Sequence, residues 1–142
     1  MVTIRQLLNT KGQEVWSVSP DASVYEAMEI MADKGVGALV VLENDKLIGI
    51  ITERDYARKV VLKERASKQT RVEEIMTKAV LYVRPGQTVE QCLAIMTEKR
   101  SRHLPVLDGD NLVGIVSIGD LVKSVIAEQQ HVIEQLEHYI SG

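Results

Sequence analysis

The sequence predicts a mixed α/β (α+β) protein built from two tandem repeats, each ordered β-α-β-β-α and packed on the other, ending in a long C-terminal helix. Three observations predict it. The chain of 142 residues matches itself at an offset of 65, residues 18–60 on 83–125, without a gap and with 15 of 43 pairs identical. Each copy carries a helix-capping signature and an apolar i, i+3, i+4, i+7 stripe, then two β-rich runs split by a turn. Each copy closes on one phrase, GIITERD at 49–55 and GIVSIGD at 114–120. A repeat of this size buries little core alone, so the pair is expected to share one.

The elements follow in order. A lead-in, IRQLLN at 4–9, matches VEEIMT at 72–77 at an offset of 68, which places three extra residues near Lys11-Gly12-Gln13 of the first copy. Val15–Val18 and Val80–Val83 predict short strands. SVYE (23–26) and TVEQ (88–91) are capping boxes, Ser or Thr at the N-cap and Glu or Gln three residues on. Val24, Ala27, Met28 and Met31 then form a core stripe, repeated by Val89, Cys92, Leu93 and Met96. Gly35 suits a helix C-cap. ALVVLENDKLIGII and HLPVLDGDNLVGIV read strand, turn, strand, turning at Asn44-Asp45 and Asp108-Gly109-Asp110. A helix is expected to begin at Thr52 and again at Ser117. A linker runs over 63–69, Thr70–Glu73 is a further capping box, and residues 1–66 and 67–142 are the expected domains. The last helix is expected from Ile118 to Tyr139. Its apolar positions Leu121, Val125, Val132, Leu136 and Ile140 predict a stripe that faces a partner.

Composition narrows the function. The chain is 45% hydrophobic and 26% charged, with net charge −3, so no general nucleic-acid field is expected. One Trp, four Tyr and no Phe make a base-stacking platform unexpected as well. No segment approaches the roughly 18 apolar residues of a membrane span, and MVTIRQLLNTKG lacks the apolar core of a signal peptide. A single cysteine excludes an internal disulfide and points to a reducing, cytoplasmic setting. Cys92 occupies the place of Ala27 in the stripe and reads as a small core residue. His131 and His138 lie seven apart, poorly spaced for a metal pair. No G-x-G-x-x-G and no Ser/His/Asp or Cys/His arrangement is present, so neither a dinucleotide fold nor catalysis is expected. The basic run Arg54, Arg58, Lys59, Lys63, Arg65 reads mostly as a solvated helix face, Arg54 and Arg58 excepted.

The repeated phrase admits two readings. Thr52 and Ser117 are good N-caps with Asp55 and Asp120 at N3, so capping alone accounts for Ser/Thr-x-x-Asp. The same junction offers helix N-terminal N–H groups to an anion and an Asp to a vicinal diol. Ile50-Ile51 and Ile115-Val116 would add an apolar wall for a flat base. Those three features together describe a nucleotide pocket.

With VEEIMT, the Pro20 and Pro85 segments, HLPVLDGDNLVGIVSIGDL and both Gly-h-h-Ser/Thr-x-x-Asp phrases, the chain resembles a tandem pair of cystathionine-beta-synthase (CBS) domains, a Bateman module of the small stand-alone type. The resemblance covers nearly the whole chain. It implies one pseudo-two-fold module that senses an adenosyl ligand: AMP first, with ADP, ATP, NAD(H) and S-adenosylmethionine as other members of the class. It implies that Asp55 and Asp120 bind ribose hydroxyls, with Thr52 and Ser117 beside ribose and phosphate. Arg54 and Gly119, each just before the Asp, would face phosphate. The base would be held by the opposite repeat. The Asp55 site would borrow Thr77 to Leu81, including Val80, and Ser101-Arg102-His103, with Ile51 on its wall. The Asp120 site would borrow Lys11 to Trp16 and Val36-Gly37-Ala38, with Ile115 on its wall. A homodimer and a regulated partner protein are also implied. The alternative is a structural dimerisation module whose clefts are vestigial; an enzyme acting on nucleotides comes third.

Overall fold

A computed structural model describes residues 1–141 and divides the chain into two compact units: Val15–Leu81, and Met1–Glu14 together with the segment from Tyr82 onward. The compact units cut across the two sequence repeats. Each repeat's lead-in helix packs in the unit of the other repeat's hairpin.

In the Val15–Leu81 unit, β1 (Ser17–Val18), α2 (Val24–Lys34), β2 (Ala38–Glu43) and β3 (Lys46–Thr52) follow one another. The sheet order is β1-β2-β3, parallel and then antiparallel. Ser23 caps α2 by accepting from the Glu26 N–H, and Gly35 ends it in the left-handed region at φ 66°. Asn44 and Asp45 both take positive φ, the two-residue turn that matches strand twist. After Thr52 the chain turns into α3 (Glu53–Tyr56) and widens into a π-helical turn, Ala57–Val61. The second lead-in, α4 (Val72–Ile75), then closes on the same core. Val24, Ala27, Met31, Leu39, Val41, Ile51, Val60, Val72 and Ile75 fill it.

The other unit repeats the plan. Here α1 (Ile4–Lys11) is the lead-in, followed after Tyr82 by α5 (Val89–Lys99), β4 (His103–Asp108), β5 (Asn111–Ser117) and α6 (Ile118–Ser141). The capping box at Thr88 is complete, with Gln91 bonding back to the Thr88 N–H. The role of Gly35 falls to Arg100, at φ 54°. Ile4, Leu7 and Leu8 of α1 join Val89, Cys92, Met96, Leu104, Val106, Val116 and Leu121 in the core. Fully burying each such aliphatic is worth about 1.5–3 kcal/mol, which outweighs the weak intrinsic stability of an eight-residue helix.

Four expectations are corrected. Val80–Val83 forms no strand; only Val83 makes a parallel bridge, to Val106, because backbone partners reach β4 from this one residue. The box expected at Thr70–Glu73 is shifted by one: the Arg71 N–H donates to Glu74 at 2.6 Å, while buried Thr70 turns its hydroxyl to the Ala66 carbonyl at 2.8 Å. The helix expected after Thr52 keeps α form for only four residues before the π turn. The partner-facing stripe on α6 is partly consumed at home, since Leu121 is fully buried and Val125 packs on the core.

Candidate functional site

The repeated phrase occupies the same place in both units. Its glycine lies in mid-strand, where Gly49 is opposite Val41 and Gly114 opposite Val106. A Cβ on Gly49 would come within 2.5 Å of Met76 Sδ and 3.1 Å of the Thr77 carbonyl oxygen; one on Gly114 would come within 2.8 Å of a Leu8 methyl. The glycine therefore admits the lead-in against the strand. The recurring glycine is the one trace of this contact in the sequence, because the lead-in lies far along the chain.

The apolar wall is only partly as expected. Strand alternation sends Ile51 and Val116 into the two cores, where both are fully buried, so neither can line a base. Ile50 and Ile115 sit on the opposite face. Ile50 exchanges both backbone hydrogen bonds with Thr77, at 3.1 and 2.9 Å.

At the strand–helix junction the capping geometry is explicit. The Asp55 N–H donates to Thr52 Oγ1 at 3.1 Å, and Asp55 Oδ2 accepts from the Thr52 N–H at 3.0 Å and its hydroxyl at 3.2 Å. The Asp120 N–H donates to Ser117 Oγ at 3.2 Å, and Asp120 Oδ2 accepts from the Ser117 N–H at 2.8 Å. The first helical N–H of each is also taken: Glu53 donates to the Gly37 carbonyl and Ile118 to the Arg102 carbonyl. Two of the first three N–H groups at each junction are thus engaged within the protein. In the unit of Asp120 the one between them belongs to Gly119. The anion-cradling capacity is correspondingly narrower than the sequence suggests.

Each motif aspartate faces a lysine, and the two lysines come from different places. Lys59, on the π turn, lies 3.3 Å from Asp55 Oδ1 and donates to the Ile75 carbonyl at 2.8 Å. Lys11, at the end of α1, lies 2.7 Å from Asp120 Oδ2 and donates to the Ile115 carbonyl. At the repeat offsets, Ser124 stands where Lys59 does and Ala79 where Lys11 does, so the repeat hides the equivalence. The Lys59 side chain stays 44% exposed, as its place in the basic run suggested, while its ammonium makes both contacts. Both carboxylates retain a solvent-facing edge, their side chains 13% and 22% exposed. Burial pushes the Asp120 carboxyl up, but the bonds and charge of Lys11 and the bonds from Ser117 outweigh it and hold the group below its ordinary 3.8.

The remaining candidates are placed as follows. Thr77 is exposed and lies beside β3, in the unit of Asp55. Val80 is half-buried and Leu81 exposed. Trp16 lies under the Lys34 ammonium, 4.5 Å from the ring centre. Val36 packs on the core beside Gly37 and buried Ala38. Arg102 and His103 open β4 in the unit of Asp120. Cys92 is buried, which pushes its thiol from 9.0 up to about 11. Among the described residues no group of three His, Cys, Asp or Glu side chains is placed to hold a metal ion.

A strand running into a capped helix, duplicated with its aspartate, is the pattern of the CBS domain, and the chain belongs to the CBS domain family, which matches residues 2–62 and 72–127. It is 39% identical, over 99% of its length and 72% of the relative's, to the mitochondrial CBS domain-containing protein CBSX3 of Arabidopsis thaliana. A Burkholderia ambifaria structure described as a signal-transduction protein with CBS domains aligns with a TM-score of 0.87 and 57% identity, covering 90% of this chain and 96% of that one. A hexameric CBS-CP12 protein of bloom-forming cyanobacteria aligns at 0.77 and 31%, over 86% and 71%.

Proposed function

We propose that this CBS domain pair is a regulatory module that binds an adenine nucleotide at its two motif aspartates and passes the binding event to a partner protein. The observation that carries the reading is the duplicated Ser/Thr–Asp–Lys arrangement. In both units a carboxylate is oriented by its own cap, balanced by a lysine and left open to solvent on one edge. Capping requires only the first of these features. A carboxylate so held can accept two hydrogen bonds from a ribose diol. Thr52, Asp55, Ser117 and Asp120 are assigned to ribose, and the backbone N–H of Gly119 and the side chain of Arg54 to phosphate. AMP is the preferred ligand, with NAD(H) and other adenosyl nucleotides as alternatives. No catalytic role is assigned, for want of a general base paired with a nucleophile.

We also assign α6 to self-association. Val122, Ile126, Ile133, Leu136 and Ile140 recur on one side of the helix and are 43–83% exposed. A homodimer would cover them. A thermal-shift screen with AMP, ADP, ATP, NAD, NADH and S-adenosylmethionine tests the reading. A ligand at 100 times its Kd adds about 2.7 kcal/mol of apparent stability. No shift with any of them at millimolar levels would favour a purely structural module.

A further inference from the structure

The two lead-ins end differently. After α4 the chain leaves the helix at Met76 (ψ 152°), and Thr77 pairs with Ile50 of β3 through its backbone. In the other unit α1 runs a turn further, and the carbonyl of Ile115, equivalent to Ile50, is met by the Lys11 ammonium instead. That ammonium shares Asp120 Oδ2 with the Ser117 N–H. Lys59, by contrast, touches the other oxygen, Oδ1, of Asp55, and comes from the adjacent helical turn of the same motif. Lys11 is followed by Gly12 at φ 103°, a conformation only glycine adopts readily, so α1 stops there and the lysine is its last residue. Its side chain is 31% exposed, so the contact is reachable from solvent along the lysine stem.

We propose that Lys11 makes the Asp120 half-site selective for diols that carry an anion. The inference rests on the nucleotide reading above. A neutral nucleoside must compete with the ammonium for the carboxylate and leaves Lys11 with no anionic partner. A nucleoside monophosphate brings a phosphate across the ribose from its diol. Lys11 then exchanges one charged partner for another while the diol takes the carboxylate, and charge-assisted bonds to phosphate are among the stronger kind. The half-site lacks an arginine before its aspartate, where Gly119 stands, and Lys11 supplies the missing cation from a remote segment.

The test uses the full chain carrying Asp55→Ala, so that only the Asp120 event remains, and titrates adenosine and AMP calorimetrically. Adding Lys11→Met should tighten adenosine and weaken AMP, narrowing the AMP-to-adenosine affinity ratio by about tenfold, one charge-assisted contact. Lys11→Gln should do the same, and Lys11→Arg should restore the ratio. Circular dichroism spectra that match the Asp55→Ala parent, with every variant fully folded at the titration temperature, would show that folding is not the cause. A ratio unchanged within about twofold overturns the proposal, since that is well under one such contact. So does the absence of binding in Asp55→Ala when Asp120→Ala still binds AMP. If the unsubstituted protein binds neither compound, the nucleotide reading itself falls, and this inference with it.

Discussion

At Asp120 the balance of burial against Lys11 and Ser117 has a consequence for stability. The folded carboxyl lies below its ordinary 3.8, so the unfolded chain takes up the proton first. The contribution is therefore fully present above about pH 4 and is lost as pH falls below the ordinary value through the folded one. Lys11→Met should cost about 1–2 kcal/mol at pH 7, measured by urea unfolding, and the difference from the unsubstituted protein should shrink below pH 4. A difference that persists at pH 2.5 would contradict it. Gly49→Ala should cost about 1–3 kcal/mol, because the new methyl meets the Thr77 carbonyl as well as Met76. Gly114→Ala meets only the branched end of Leu8, which can turn aside, and should cost less. Buried Cys92, its thiol pushed up to about 11, should react with thiol reagents at pH 8 only on unfolding.

Elements show what the sequence disclosed and what it did not. Both 11-residue helices, both hairpins and the start of α6 follow from local signals: Ser23 and Thr88 as caps, Asn44-Asp45 as a turn, apolar stripes at helical spacing. Short-range chemistry writes these directly into neighbouring residues. The exchange of lead-ins is not local. Nothing within IRQLLN says that Leu8 will meet Gly114, although the glycine in each phrase is the trace of that contact. The motif aspartates were legible because they recur at a fixed offset. Their lysines were not, because Lys11 and Lys59 do not. Ile51 turns into the core and Ile50 to the opposite face, a choice the pair Ile50-Ile51 leaves open until the strand register is known. Gly35→Ala should destabilise the Val15–Leu81 unit by about 1–2 kcal/mol, the penalty for a Cβ in the left-handed region, read as a lower urea midpoint. An unchanged midpoint would mean that α2 can end otherwise.

The whole molecule is expected to self-associate and to bind a ligand. Sedimentation at micromolar concentration should give about twice 15.8 kDa. Leu136→Glu places a charge on the exposed side of α6 and should return the protein to a monomer without lowering its intrinsic fold stability. A clean monomer before substitution would contradict the assignment of α6. Ligand binding is tested most directly by calorimetric titration of AMP into the unsubstituted protein, Asp55→Ala and Asp120→Ala. Each substitution should remove one binding event. The tighter event should vanish with Asp55→Ala, where Arg54 precedes the aspartate, with a loss of about 1.5–3 kcal/mol. Titrations identical in all three proteins would contradict the account, because the motif aspartates would then be caps and nothing more.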